Sequence, residues 1–330
     1  MLKPIQALCA GLCLVVLAGG CATTTPSEIK PLTEAQLRGM FSKAKDARNF
    51  WITVYQSDHQ NAQFAGANRL HPEHLAQRDF VGESASTAPM INADNGREET
   101  IVALIDTTAA QSWLDLATFT RVNATPLAPP VYGCIPKNVN DNLPGYACVL
   151  TKMRFDQLHV ENALFHFRAA TGPLGCLARG EEHPVPDAIL GCDFLKAFAF
   201  VQIDYPKHSV VLSATSEYSP GEKNLIATLP LKEVEGAFAA DGEFDGEKNI
   251  FILDSVGEFE VAMDNPPTNT LKQISIGDLV FRNVSVVDSK DQSLGLLSYP
   301  RIGRQLLSKF NVTFAPKKKL VFFERPSSVK

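Results

Sequence analysis

The chain has 330 residues, of which 36 are Asp or Glu and 31 are Lys or Arg, so its formal net charge is −5. The basic residues are spread along the chain and form no single basic segment, which argues against nucleic acid as a partner. A chain of this length buries a large core and suits two domains of ordinary size.

The first 20 residues form a predicted signal peptide. Lys3 precedes an apolar stretch over residues 7–17, and the phrase LAGGC ends at Cys21. The stretch is shorter than the roughly 20 residues of a membrane-spanning helix, which favours a cleaved segment. The small residues before the cysteine resemble the lipobox of bacterial lipoproteins, which implies lipid attachment at Cys21; ordinary signal cleavage nearby is the alternative. We therefore expect a lipid-anchored protein of the cell envelope, at the outer membrane and facing the periplasm.

Residues 21–32 are rich in Thr, Ser and Pro, which predicts a flexible tether. A helix follows, since Thr33 and Gln36 have the spacing of a capping box. Its apolar face is predicted to contain Leu37, Met40, Phe41 and Ala44.

Four cysteines of the mature chain lie beyond Cys21, namely Cys134, Cys148, Cys176 and Cys192. In an oxidising compartment such a set predicts two disulfides, with three possible connectivities. The simplest joins chain neighbours, Cys134 with Cys148 and Cys176 with Cys192. A zinc site that includes His183 is the alternative, which the absence of a Cys-x-x-Cys spacing disfavours.

From about residue 51 the apolar residues come in short runs separated by Gly, Pro, Asn and Asp, which is typical of an all-β protein. Three elements recur in the same order in both halves of the chain, which predicts two lobes of related fold. The pairs are the strands that end at Asp106 and Asp254, the hairpins that begin at Leu150 and Leu271, and the helical segments after Gly191 and Gly303.

These repeated phrases read LIDTT and ILDSV at the two aspartates, and ILG and RIG at the two glycines. They resemble the retropepsin and pepsin class of aspartic peptidases. The resemblance implies an all-β, bilobal fold of two retropepsin-like β-barrels, here with an added N-terminal helix. We expect the first lobe, with its N-terminal segment, over residues 33–218 and the second over residues 219–330.

The same resemblance implies that Asp106 and Asp254 form a catalytic pair. Two carboxylates about 3 Å apart cannot both ionise, so one activates a water and the other donates a proton. In this class Thr107 and Ser255 would brace the two loops, and Ser112 would support the first aspartate. Such a mechanism requires no metal and no cofactor.

Both loops depart from the class, because Thr108 and Val256 replace its glycines. A β-branched residue in a glycine conformation stores on the order of 1–3 kcal/mol of strain or pushes the loops apart; Gly257 offers a rescue in the second loop by a one-residue shift. Two main hypotheses remain open: an endopeptidase that hydrolyses peptide bonds, or an inactive homologue that binds a peptide or protein. A structural envelope lipoprotein without a ligand is the third.

A hairpin flap over the cleft is predicted at residues 131–149, with turn residues from Asn142 to Gly145. Tyr132 or Tyr146 would contact a bound peptide there. The alternative is that either tyrosine is a strand residue on a packed face.

Overall fold

The computed structural model describes residues 30–56, 62–71, 75–81, 88–97, 99–130, 145–172, 174, 185–290 and 298–326. The predicted signal peptide, the lipidation site Cys21, most of the tether, Cys134, Cys176, His183 and Tyr132 lie outside the described residues.

The predicted N-terminal helix is confirmed over Glu34–Phe41. The Thr33 side chain accepts a hydrogen bond from Gln36 N at 3.3 Å, and the Gln36 side chain accepts one from Thr33 N at 2.9 Å, which completes the capping box. Leu37, Met40 and Phe41 pack against the main apolar core, so the helix is held to the first lobe by one face.

The first lobe is a nine-stranded sheet that closes on itself through the long hairpin Gly145–Phe155 and Leu158–Arg168. The strands of this sheet alternate buried and exposed side chains only where one face of the sheet meets solvent. The side chains of the long hairpin are buried almost throughout. In spatial order the strands are Lys45–Asp46, Thr125–Ala128, Gly145–Phe155, Met90–Asp94, Thr100–Ile105, Ala188–Leu190, Trp113–Leu114, Leu158–Arg168 and Arg69–Leu70.

The second lobe is a seven-stranded sheet, closed in the same way by pairing of Ala237–Phe244 with Thr270–Ile276. In spatial order its strands are Lys232–Val234, Ala237–Phe244, Glu247–Leu253, Arg301–Ile302, Val261–Met263, Leu279–Asp288 and Thr270–Ile276.

A six-stranded antiparallel sheet joins the two lobes, and we call it the shared sheet. It takes strands from both halves of the chain. The two lobes follow each other in sequence, but both halves contribute strands to this sheet. In spatial order these are Leu225–Pro230, Leu320–Glu324, Asn311–Ala315, Phe200–Asp204, Ser209–Ser213 and Leu75–Asp79. The boundary expected at residues 218 and 219 falls between two strands of this sheet and stays a prediction.

Small elements complete the structure. They are the two-stranded pairs Lys30–Pro31 with Ala170–Thr171 and Thr53–Gln56 with Ala62–Ala65, the α-helices Leu116–Arg121, Cys192–Leu195 and Arg304–Leu307, and the 3-10 helices Ala47–Phe50 and Pro316–Lys318. Together these elements give the predicted bilobal, pepsin-like all-β fold. No helix within the described ranges is both long enough and apolar enough to span a membrane.

The two equivalent hairpins and the two glycine segments confirm the internal repeat. Ala188–Leu190 lies parallel to Thr100–Ile105 and antiparallel to Trp113–Leu114. In the second lobe, Arg301–Ile302 has the same place, parallel to Glu247–Leu253 and antiparallel to Val261–Met263. Each is followed by a single helical turn, so the two lobes share one arrangement around their central strands.

The disulfide prediction is wrong for the two cysteines that the structure describes. Cys148 and Cys192 are free, fully buried thiols. Cys148 points into the apolar core of the first lobe, and Cys192 Sγ donates to Thr107 O at 3.2 Å. A disulfide requires two Cβ atoms that face each other at about 4 Å, and spacing along the chain carries no information about this direction.

Candidate functional site

The two aspartates end equivalent strands and meet where the lobes join. Asp106 follows Thr100–Ile105, and Asp254 follows Glu247–Leu253. The backbone N–H of Asp106 donates to Leu190 O at 3.1 Å, and that of Asp254 donates to Ile302 O at 2.8 Å. Each aspartate is therefore fixed by the central strand of its own lobe.

Thr107 and Ser255 lock the two loops together with four hydrogen bonds. Thr107 Oγ1 donates to Leu253 O at 2.5 Å and accepts from Ser255 N at 3.0 Å. Ser255 Oγ donates to Ile105 O at 2.8 Å and accepts from Thr107 N at 3.1 Å. Both side chains are fully buried. The loops thus have a pseudo-symmetric joint, in which each hydroxyl donates one hydrogen bond and accepts one.

Backbone N–H groups hold one oxygen of each carboxylate. Asp106 Oδ1 accepts from Thr108 N at 2.8 Å and from Ala109 N at 3.2 Å. Asp254 Oδ1 accepts from Val256 N at 3.0 Å and from Gly257 N at 2.8 Å. The two loops therefore present their aspartates in the same way, with two amide donors on one oxygen.

The replaced glycines do not produce the expected strain. Neither Thr108 nor Val256 is among the described residues with a positive φ, so both adopt backbone conformations open to any residue. The loops also stay together, as the Thr107 and Ser255 bonds show. In the first loop the replacement adds a contact, since Thr108 Oγ1 donates to Asp106 Oδ1 at 2.7 Å.

In the second loop the residue that must be glycine is Gly257, one position after Val256. A Cβ added at Gly257 would lie 2.9 Å from Asp254 Oδ2 and 2.3 Å from the Phe259 ring. Gly257 is therefore needed for close approach, although the resemblance to the peptidase class places that class's glycine at Val256.

The first aspartate has a perturbed acidity. Burial in the protein, and next the negative charge of Asp254, raise the pKa of Asp106 above its usual value, while the hydrogen bonds from Thr108 and Ala109 act in the opposite direction. Asp106 nevertheless keeps part of its surface exposed. It is a partly exposed carboxyl group that takes up a proton more readily than a free aspartate.

The second aspartate has a buried cation beside it. Arg301 Nη1 lies 3.7 Å from Asp254 Oδ2, and the two side chains are only 4% and 3% exposed. Arg301 is equivalent to Ile189 of the first lobe, since each lies two residues before the glycine of its segment. An ion pair with so little exposure is not screened by solvent. The sequence reasoning missed this residue, although the arginine in RIG, against isoleucine in ILG, was the visible signal.

Val256 closes the space above Asp254. Its side chain is 8% exposed and belongs to an apolar cluster whose other members come from the first lobe. Those members are Met90, Leu104, Trp113, Leu174 and Ile189. Asp254 itself is 2% exposed, so a solvent molecule in the cleft has little access to it.

The glycines of ILG and RIG permit close approach of backbone to backbone. A Cβ at Gly191 would lie 2.5 Å from Gln111 O, and one at Gly303 would lie 2.3 Å from Phe259 O. Ser112 belongs to the first of these contacts, because its hydroxyl donates to Asp193 Oδ1 at 2.6 Å and accepts from Gly191 N at 2.9 Å. Its support of Asp106 is thus indirect, through the glycine segment.

The one described flap tyrosine is not positioned to contact a ligand. Tyr146 is 9% exposed and packs against Phe41 and Phe167, with ring centroids 5.0 Å and 5.7 Å away. This corrects the substrate-contact prediction for Tyr146 in favour of the packed-face alternative: its strand turns this side chain towards the N-terminal helix. Within the described residues no group of three or more His, Cys, Asp or Glu side chains is placed to hold a metal ion.

Comparisons with known proteins give a likeness of fold among solved structures. No protein-family model matches the chain, and no curated protein sequence matches it significantly. Among solved structures, basic 7S globulin from soybean is similar, with a TM-score of 0.49 and 11% identity over 77% of this chain and 95% of that chain. A likeness at this level carries no information about activity or ligand.

Proposed function

We propose that this protein binds an extended segment of a peptide or protein in the cleft between its lobes and does not hydrolyse it. The observation that carries the proposal is the ion pair of Arg301 with Asp254, buried at 3.7 Å between nitrogen and oxygen. It bears directly on the chemistry that a pair of aspartates would have to perform.

Hydrolysis by two carboxylates requires that they share one proton and hold a water between them. The guanidinium of Arg301 supplies a full counter-charge to Asp254, and such a group cannot be deprotonated in proteins. Asp254 therefore interacts both with Arg301 and with Asp106, whose pKa its charge raises, so the two carboxyl groups are not equivalent.

Access supports the same conclusion. Asp254 is 2% exposed and Val256 packs against the first lobe, which limits the access of a nucleophilic water to the second carboxylate. Asp106 and Thr108 remain partly exposed and offer polar groups to a ligand in the cleft. Extended polypeptides bind such clefts through main-chain hydrogen bonds to strand edges and loops.

The second candidate is an aspartic endopeptidase, and one observation favours it. The raised pKa of Asp106, together with the locked loops, is the arrangement in which Asp106 would act as the acid and Asp254 as the base. For this to operate, Val256 would have to move and admit water.

A cleavage assay on a mixed peptide library from pH 3 to pH 7 separates the two candidates. We expect no cleavage by the wild type at any pH, together with retained binding of library peptides in a pull-down. Cleavage that disappears in Asp106→Asn, and persists in the exposed control Asp278→Asn, would establish the peptidase instead. Absence of both cleavage and binding would refute the binding proposal and leave the structural role.

The place of action that we propose is the cell envelope, with the protein held to the outer membrane by lipid on Cys21. This rests on the LAGGC phrase and the apolar stretch before it. Metabolic labelling with a fatty-acid analogue, lost in Cys21→Ser, is the test.

A further inference from the structure

A cavity of about 450 Å³ lies on the outer surface of the first lobe, and the cleft chemistry does not account for it. Its volume is within the range of roughly 300–1,000 Å³ that small-molecule sites have. The walls come from the 3-10 helix Ala47–Phe50 with Trp51, and from strands of the nine-stranded sheet. We call it the Trp51 cavity.

Trp51 has an unusual conformation for a large aromatic residue. It caps the 3-10 helix in the left-handed region, with φ 59° and ψ 26°, where a bulky side chain is a strained outlier. Gly66 helps to fix this backbone, because a Cβ there would lie 2.3 Å from Trp51 O. The cost is not offset by burial, since the Trp51 side chain is 78% exposed. Strained residues cluster at functional sites. The strained and exposed indole of Trp51 is therefore a candidate ligand-binding group of the cavity.

A row of charges crosses the floor of the cavity. Lys152 pairs across the strands with Glu161, and Glu161 pairs with Arg69 on its other side, so the three side chains lie next to each other on one face of the sheet. Lys45 adds a third cation to the wall. The cavity thus has three cations and one carboxylate, in a protein whose net charge is −5. This excess of positive charge selects for an anionic ligand.

The single carboxylate is held in place and has a role of its own. Glu161 Oε1 lies 2.9 Å from His71 Nε2. The hydrogen bond from His71, and then the charges of His71, Arg69 and Lys152, lower the pKa of Glu161, while desolvation opposes them. An ionised carboxylate can only accept hydrogen bonds. The cavity therefore favours a ligand that carries hydrogen-bond donors as well as anionic groups.

We infer that the Trp51 cavity binds an anionic saccharide, that is, sugar units that bear carboxylate or sulfate groups. The indole face of Trp51 stacks on the apolar C–H face of a sugar ring, as aromatic faces do with electropositive hydrogens. Arg69 and Lys152 pair with the acid groups, and Glu161 accepts from a hydroxyl. A saccharide combines these three features in one small unit, whereas an acidic peptide has no flat polyhydroxy face.

Intrinsic fluorescence gives a direct test, because the chain has two tryptophans and Trp113 is only 8% exposed. Titration with hexagalacturonate, and separately with a heparin-derived hexasaccharide, is expected to change Trp51 emission in a saturable manner. The two probes distinguish carboxylate from sulfate as the anionic group. Because ionic contacts are screened by salt, added NaCl should weaken the binding.

The variants are chosen to keep the fold. Trp51→Asn removes the ring and suits the left-handed backbone; bound probe is then measured by calorimetry, and we expect an affinity at least tenfold lower. Arg69→Gln and Lys152→Gln should each lower the affinity several-fold. The matched controls Tyr55→Ala, an aromatic residue that is 59% exposed outside the cavity, and Lys223→Gln should bind as the wild type does.

Three results would overturn the inference. They are failure of both anionic probes to bind, equal binding of neutral maltohexaose, and tighter binding of hexaglutamate, which would make the ligand an acidic peptide. Loss of affinity in the control variants as large as in Trp51→Asn would likewise place the ligand elsewhere. Cleft binding of peptides is independent of all these results.

Discussion

The two lobes share one architecture around their aspartates, but they bury polar groups in opposite ways. The first residue of the phrase ILG in the first lobe is Ile189, and the first residue of the equivalent phrase RIG in the second lobe is Arg301. The residue after the glycine is Cys192 in the first lobe and Arg304 in the second, and Arg304 pairs with Glu258. The second lobe therefore stabilises buried charge with counter-charge.

The first lobe has buried groups whose pKa is shifted mainly by burial. Burial lowers the pKa of His166 to about 4, against an opposing effect of a hydrogen bond involving Ser112. Burial also raises the pKa of Asp193 to about 6, against hydrogen bonds from Ser112 and Phe194 and the charge of Lys196. The comparison teaches that the same architecture can hold its buried polar groups as ion pairs in one lobe and favour their uncharged forms in the other.

The largest expected effect comes from breaking the ion pair. Arg301→Met leaves Asp254 buried without its counter-charge, and removal of one partner of such a pair costs about 3–5 kcal/mol. The equivalent first-lobe change, Ile189→Met, is a volume-conserving apolar swap that costs less than about 1.5 kcal/mol. Urea unfolding at pH 7 measures both free energies. Equal losses would show that the Arg301 charge has no structural role.

A second test uses pH. His166 must be neutral in the fold, so its contribution is complete above pH 6.5 and is lost as the pH falls towards 4. His166→Phe should therefore gain about 3 kcal/mol relative to wild type between pH 7 and pH 4.

For Asp193 the dependence of stability on pH has the opposite sign. Its raised pKa means that the folded state binds the proton more tightly, so stability is lost as the pH rises from about 4 to about 6. Asp193→Asn should gain about 3 kcal/mol relative to wild type over that interval. Unfolding free energies at several pH values check both variants, and parallel curves for wild type and either variant would contradict the assignment.

The smallest of these effects probes the joint where the lobes are alike. Thr107→Val and Ser255→Ala each remove one hydroxyl that donates once and accepts once across the joint. Each should lose about 2 kcal/mol, because a buried N–H and a carbonyl then lack a partner. The double variant should lose less than the sum, since the two residues share a network. Additive losses would mean that the two halves of the joint act independently.

Much of the fold was readable from the sequence, because duplication gives the same pattern twice. The capping box at Thr33, the paired hairpins and the two glycine segments were predicted from residue spacing, and each has a local physical cause. The meeting of Asp106 with Asp254, whose charge acts on it, follows from the class resemblance, and no spacing along the chain fixes it.

The site chemistry could not be read in the same way. Strain at Thr108 and Val256 was expected from a glycine rule, but that rule holds only where φ is positive, and backbone angles are not encoded in the residue type alone. The Asp254–Arg301 contact depends on which face of a two-residue strand the arginine occupies. The disulfide prediction joined Cys134 to Cys148 and Cys176 to Cys192 because each pair is close along the chain, whereas the direction of a cysteine side chain is set by the surrounding core.

The shared sheet has a consequence for biosynthesis. Phe200–Asp204 pairs with Asn311–Ala315, which is close to the end of the chain. While the ribosome is still making the second half, this strand has an open edge, and open edges pair readily with other chains. This edge therefore stays open until Asn311–Ala315 has been synthesised, and an assisting factor would protect the nascent protein from aggregation in that interval.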